Sequence, residues 1–143
     1  MPDIAHDLEI LAPVDTVYDA ITSAEVMAEW WTLASAGSPI ADSIYRLDFG
    51  PGYVWEGRVI HADAPVRFGL EMISASDDWM GTHIYFELED RDYCTVVQFR
   101  HAGWVSETSH FRTSSFCWAM YLRIFKQFVE SGKRVAYEDR LKA

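Results

Sequence analysis

The chain has 143 residues, with 12 Lys plus Arg against 22 Asp plus Glu and a formal net charge of −10. Half of it is hydrophobic, and 6 Trp, 7 Tyr and 8 Phe bring the aromatic share to 15%. Such a chain buries a core, which excludes disorder, and its acidity sets it against nucleic-acid phosphates and anionic membranes. The expected partner is a hydrophobic small molecule or another protein, with no nucleic acid and no membrane.

The length suits a single domain over residues 1–143. Met1-Pro-Asp-Ile-Ala-His-Asp has neither a basic start nor an apolar run, so no secretory signal is expected. No stretch reaches the roughly 18 apolar residues of a membrane span. Cys94 and Cys117 are the only cysteines and form no Cys-x-x-Cys, the pattern of two reduced thiols in a cytoplasmic protein.

Residues 4–11 alternate, with Ile4, His6, Leu8 and Ile10 on one face, and predict a half-buried strand. Ala12-Pro13 ends it, because proline lacks a ladder donor but suits a helix start. The spacing of Val14, Val17, Tyr18 and Ile21 predicts a helix over 14–22. Ser23 is an N-cap for a second short helix over 24–31. Small and turn-forming residues then predict a loop over 35–43.

From there the period is two. Strands are predicted over 43–49, 53–61, 66–74, 82–89 and 93–101, with turns at Gly50-Pro-Gly52, Ala62-Asp-Ala-Pro65, Asp77-Asp78 with Gly81, and Arg91-Asp92. Short connections imply an antiparallel meander. Residues 109–131 carry no Gly or Pro, and Trp118, Tyr121, Leu122, Phe125 and Phe128 give them a wide apolar face, so one long helix is predicted, stopped by Gly132. The charged residues 133–143 are expected to lie over the surface or fray. The fold class is α+β: a strand, two short helices, and about five antiparallel strands curved around a C-terminal helix that covers their apolar face. A cavity is expected where that helix does not reach.

The chain resembles the START-like, helix-grip superfamily (SRPBCC), and within it the branch named after the activator of heat-shock-protein ATPase. The resemblance rests on Ala12-Pro-Val-Asp-Thr-Val-Tyr-Asp-Ala-Ile-Thr22, Ala24-Glu-Val-Met-Ala-Glu-Trp-Trp-Thr32 and Thr82-His-Ile-Tyr-Phe-Glu-Leu88. Thr95-Val-Val-Gln-Phe-Arg-His-Ala-Gly-Trp104 and Cys117-Trp-Ala-Met-Tyr-Leu122 complete it. It implies the helix-grip fold. Its members include lipid carriers, polyketide cyclases, aromatases and hormone receptors, so fold alone does not fix function. Cys117 stands where the branch often has Gly, which narrows a cavity or adds a thiol to it.

Inward alternation makes Tyr45, Trp55, Phe86, Phe99 and His101 candidate ligand contacts, and position on the predicted helices adds Trp31, Trp118 and Tyr121. Whether those rings line a void or fill it stays open at the level of sequence. His101 is either a proton donor in the cavity or a structural imidazole ordering the loop into the last helix. His6 and His61 also fall on inward faces. The five histidines have no metal-ligand spacing, and no nucleotide loop or other cofactor motif is present, so neither metal nor cofactor is expected. Cys117 lies among Phe116, Trp118 and Met120 and reads as an inert thiol. The acidic residues, Asp77 and Asp78 among them, read as solvated surface. Three functions follow: binding of a hydrophobic or aromatic small molecule; cyclase- or aromatase-like catalysis through His101 with Tyr45 or Tyr121; or a protein-interaction role such as chaperone-ATPase modulation, through an apolar patch that would also serve a homodimer.

Overall fold

The computed structural model describes residues 1–142. Strand β1 (Ile4–Ile10) leads into helices α1 (Val14–Thr22) and α2 (Ala24–Trp30). Ser23 joins them, ending α1 and capping α2 through the hydroxyl that accepts the Val26 N–H at 3.4 Å. Strands β2 (Ala34–Ala36), β3 (Ile44–Asp48), β4 (Val54–Asp63), β5 (Arg67–Ser74), β6 (His83–Asp90) and β7 (Thr95–Ala102) precede helix α3 (Ser109–Ser131). All seven strands form one antiparallel sheet in the order β1-β7-β6-β5-β4-β3-β2.

Alternation decides which face of the sheet is covered. Tyr45, Leu47, Val59, Phe68, Leu70, Met72, Ile84, Phe86, Leu88, Val97 and Phe99 point to the side of α3 and are buried. Helix α3 answers with Trp118, Leu122 and Phe125. Its N-cap is Thr108, whose hydroxyl accepts the Phe111 N–H at 3.2 Å. It stops at Gly132, whose φ of 72° is the left-handed conformation that glycine adopts without a Cβ penalty. The expected grip of a curved sheet on a terminal helix is the observed arrangement.

Three expectations are corrected. The segment 35–43 is not wholly loop, because Ala34–Ala36 pairs with β3 from Asp48 to Arg46; Ala-Ser-Ala has no β-branched signal, and the neighbouring strand imposes the pairing. His61 is not inward. A bulge at Ile60 takes the register from Val59↔Leu70 to His61↔Gly69, and one extra residue turns the next side chain to the other face. His61 therefore packs at a tilt against Tyr85 on the outer face, 5.9 Å between centroids. The tail is anchored as a 3-10 helix over Tyr137–Lys142. Arg140 is 3% exposed and donates to Val135 O at 3.1 Å, Thr32 O at 3.0 Å and Ala28 O at 2.7 Å. The bond to Ala28 O, in the last turn of α2, satisfies an acceptor that the helix end leaves orphaned. Tyr137 Oη donates to Phe49 O at 3.1 Å, so the tail straps both α2 and the β3–β4 hairpin.

Candidate functional site

Five aromatic rings close a circuit at one end of the sheet–helix interface. Trp31 contacts Trp118 at 5.1 Å and Phe49 at 5.7 Å. Phe49 contacts Trp55 at 5.2 Å, Trp55 contacts Trp79 at 5.0 Å, and Trp79 returns to Trp118 at 6.0 Å. The rings come from the end of α2, the β3–β4 hairpin, the β5–β6 turn and α3, so the circuit exists only in the folded chain. Over it lies a cleft of about 220 Å³, walled along α3 by His110, Thr113, Ser114, Cys117, Trp118 and Tyr121. That spacing is one face of a helix.

Of the residues expected to contact a ligand, the structure brings Trp31, Trp55, Trp118 and Tyr121 together in this cleft. Tyr45, Phe86, Phe99 and His101 lie in the packed interior and are at most 2% exposed. Tyr45 Oη donates to Thr22 O at 2.6 Å, and burial raises its pKa. Phe99 packs on Trp118 at 4.5 Å and on Phe86 at 5.2 Å. The rings thus fill the deep end of the grip and leave the end near the start of α3 open.

His101 has no free nitrogen. Trp118 Nε1 donates to its Nδ1 at 3.1 Å, and an indole nitrogen can only donate. The ring proton therefore sits on Nε2, which donates to Thr82 Oγ1 at 2.8 Å. The Thr82 hydroxyl in turn donates to Trp79 O at 2.6 Å. The imidazole is completely buried, and burial first, with His110 and His83 adding to it, lowers its pKa to about 3. A neutral ring in a closed donor–acceptor chain orders the Trp79 turn against α3. The imidazole is structural, but it bonds the Thr82 and Trp118 side chains and fixes the β5–β6 turn, not the loop into the last helix expected from sequence. His6 is likewise tied to the helix, its Nε2 lying 3.3 Å from Ser115 O.

Phe49, Trp79, His110, Thr113, Ser114 and Cys117 line the cleft without having been singled out as ligand contacts. Trp79 is the most instructive. It sits in a turn, where alternation gives no direction, yet it is 7% exposed and also packs on His101 at 4.5 Å and Trp104 at 6.2 Å. A tryptophan inside a turn was the one available signal. Asp78 is also more than solvated surface: Oδ2 lies 3.3 Å from His110 Nδ1 and accepts from Thr108 Oγ1 at 3.3 Å. Burial raises the Cys117 thiol and raises Tyr121 to about 12, so neither is ionised at neutral pH. A protonated thiol is a poor nucleophile. Among the described residues, no group of three or more His, Cys, Asp or Glu converges as a metal site. No helix among them is long and apolar enough to cross a membrane.

Comparison with known proteins agrees with this architecture. Residues 11–130 match the family described as Activator of Hsp90 ATPase homolog 1-like protein. A comparison with curated proteins found no match. Among solved structures, the Aha1 dimer from Colwellia psychrerythraea, determined in solution, is 28% identical with a TM-score of 0.85, covering 93% of this chain and 99% of that one. Protein SSP2350 from Staphylococcus saprophyticus shares the fold at 15% identity and a TM-score of 0.79, over 94% of this chain and 96% of that one. CalU16 from Micromonospora echinospora shares it at 18% identity and a TM-score of 0.74, over 98% and 83%. With more than four-fifths of its length matched to the family and a seven-stranded antiparallel sheet gripping a C-terminal helix, the chain belongs to the Activator of Hsp90 ATPase homolog 1-like family and has the helix-grip fold.

Proposed function

We propose that the chain is a binding module for a small, flat, apolar molecule, held in the cleft between the aromatic circuit and α3. The observation that carries this reading is the closed circuit of Trp31, Phe49, Trp55, Trp79 and Trp118 beneath a cleft of about 220 Å³. A dry apolar cavity of about 150 Å³ suffices for benzene, so this one suits one or two fused rings. Indole faces stack on such a ligand with little entropy to lose, because their rotamers are fixed by their neighbours. The neutral, fully bonded His101 favours binding over proton transfer through that residue.

The test is thermal unfolding with naphthalene, on the wild type and on a variant with the cleft filled, Cys117→Trp. Ligand at about 100 times its Kd stabilises by about 2.7 kcal/mol, a rise of several degrees for a chain of this size. The wild type and Cys117→Ser should show the rise, while Cys117→Trp, melting cooperatively, should not. No rise in the wild type, or an equal rise in Cys117→Trp, contradicts the reading.

Self-association is a second reading, favoured by the 28% identical Aha1 from Colwellia psychrerythraea, which is a dimer. Light scattering across a concentration series tests it: a mass twice that of the chain supports a dimer, and a single-chain mass at every concentration rejects it.

A further inference from the structure

One end of the cleft is polar in a specific way. His110 and Ser114 are one helical turn apart on the cleft face of α3, a spacing that puts their Cβ atoms about 5–6 Å apart. Asp78 Oδ2 lies 3.3 Å from His110 Nδ1. The contact is one of charge and not of hydrogen-bond geometry: the carboxylate favours the tautomer with its ring proton on Nδ1 and leaves the Nε2 lone pair as the free function. Nε2 has no hydrogen-bond partner among the described residues. Ser114 is 6% exposed, and its Oγ accepts from Trp79 Nε1 at 3.3 Å. The hydroxyl proton of Ser114 has no acceptor among those residues. The pair therefore offers one acceptor and one donor, side by side, at the rim of an aromatic cleft.

A single oxygen that both donates and accepts satisfies both. Two hydrogen bonds of about 2.8 Å each span the separation of neighbouring side chains at this spacing. A phenolic hydroxyl does this with its ring held in the plane of the cleft; an ether accepts but cannot donate, and a hydrocarbon does neither. The geometry points to a hydroxylated aromatic of one or two fused rings as the ligand class, its ring on the Trp79 and Trp118 faces and its hydroxyl between His110 Nε2 and Ser114 Oγ. The inference rests on the cleft being a binding site and deepens that reading. Asp78 is a positioning residue, acting only through His110.

The experiment is isothermal titration calorimetry of the full chain with 2-naphthol, 2-methoxynaphthalene and naphthalene, all at one mildly alkaline pH. Two satisfied hydrogen bonds predict that 2-naphthol binds about tenfold tighter than naphthalene, with 2-methoxynaphthalene, which can only accept, between the two. His110→Leu should remove that ratio, so that 2-naphthol and naphthalene bind the variant equally, whatever the change in naphthalene affinity itself. Asp78→Asn should shrink the ratio without changing naphthalene binding, an effect that a loss of folding would not produce. Should all three congeners bind equally to the wild type, the hydroxyl site is overturned and the apolar cleft stands. A tenfold ratio that survives in His110→Leu overturns the assignment to this residue. Absence of binding by all three overturns both readings.

Discussion

Replacing His101 by Gln tests the buried network by its proton linkage. The amide keeps one acceptor for Trp118 Nε1 and one donor for Thr82 Oγ1 but does not titrate. In the wild type the folded pKa lies near 3, against about 6.5 in an unfolded chain. Because the folded value is the lower one, the unfolded chain takes the proton first as pH falls. Stability is fully present above about 6.5 and is lost at about 1.4 kcal/mol per pH unit on the way down towards 3. Between pH 7 and pH 5 His101 alone then costs the fold about 2 kcal/mol. The remaining titratable groups are shared by both proteins and cancel in the difference. Urea unfolding at the two pH values, on wild type and His101→Gln, reads this directly. The wild type should lose about 2 kcal/mol more than the variant on acidification. Equal losses would refute a neutral, fully engaged His101.

Thr82→Val keeps the shape but strands the His101 Nε2 proton, and should cost about 1–3 kcal/mol by chemical unfolding; a neutral result rejects the donor–acceptor chain. Arg140→Ala removes three bonds to carbonyls of the α2 end and its following loop and of the tail itself, and should destabilise by about 3 kcal/mol. Its readout is the midpoint of thermal unfolding, which should fall together with amide protection in α2. Gly37→Ala forces a Cβ to within 2.6 Å of the Tyr45 ring at a φ of 152°, so a loss of several kcal/mol is expected. Unchanged stability there would mean that the Gly37 loop does not rest on Tyr45.

The parts of the fold legible in the sequence are those with a period. Val14–Thr22 and Ser109–Ser131 have the helix limits the apolar spacing predicts, and Phe68, Leu70 and Met72 are buried as alternation demands. What was illegible has no local signature. The bulge at Ile60 shifts His61 outward without changing composition, and Ala34–Ala36 becomes a strand only because β3 is beside it. Arg140 looks like any solvated tail cation until three carbonyls surround it. The site was half legible for the same reason. Trp31, Trp55, Trp118 and Tyr121 follow from periodic elements, whereas Trp79 and Phe49 come from turns. His110 gains its meaning from Asp78, some thirty residues away. Periodicity also could not say where along the grip the packing gives out: Phe86 and Phe99 fill the depth, and the opening falls beside the first turns of α3.

The account stands most directly on where an apolar ligand settles. A titration of the labelled protein with naphthalene, followed through the six tryptophan indole N–H resonances, locates it. The account predicts saturable shifts that are largest at Trp31, Trp55, Trp79 and Trp118 and small at Trp30, which is buried away from the cleft. Shifts that fail to saturate, or that are as large at Trp30 as at the four cleft tryptophans, would contradict it.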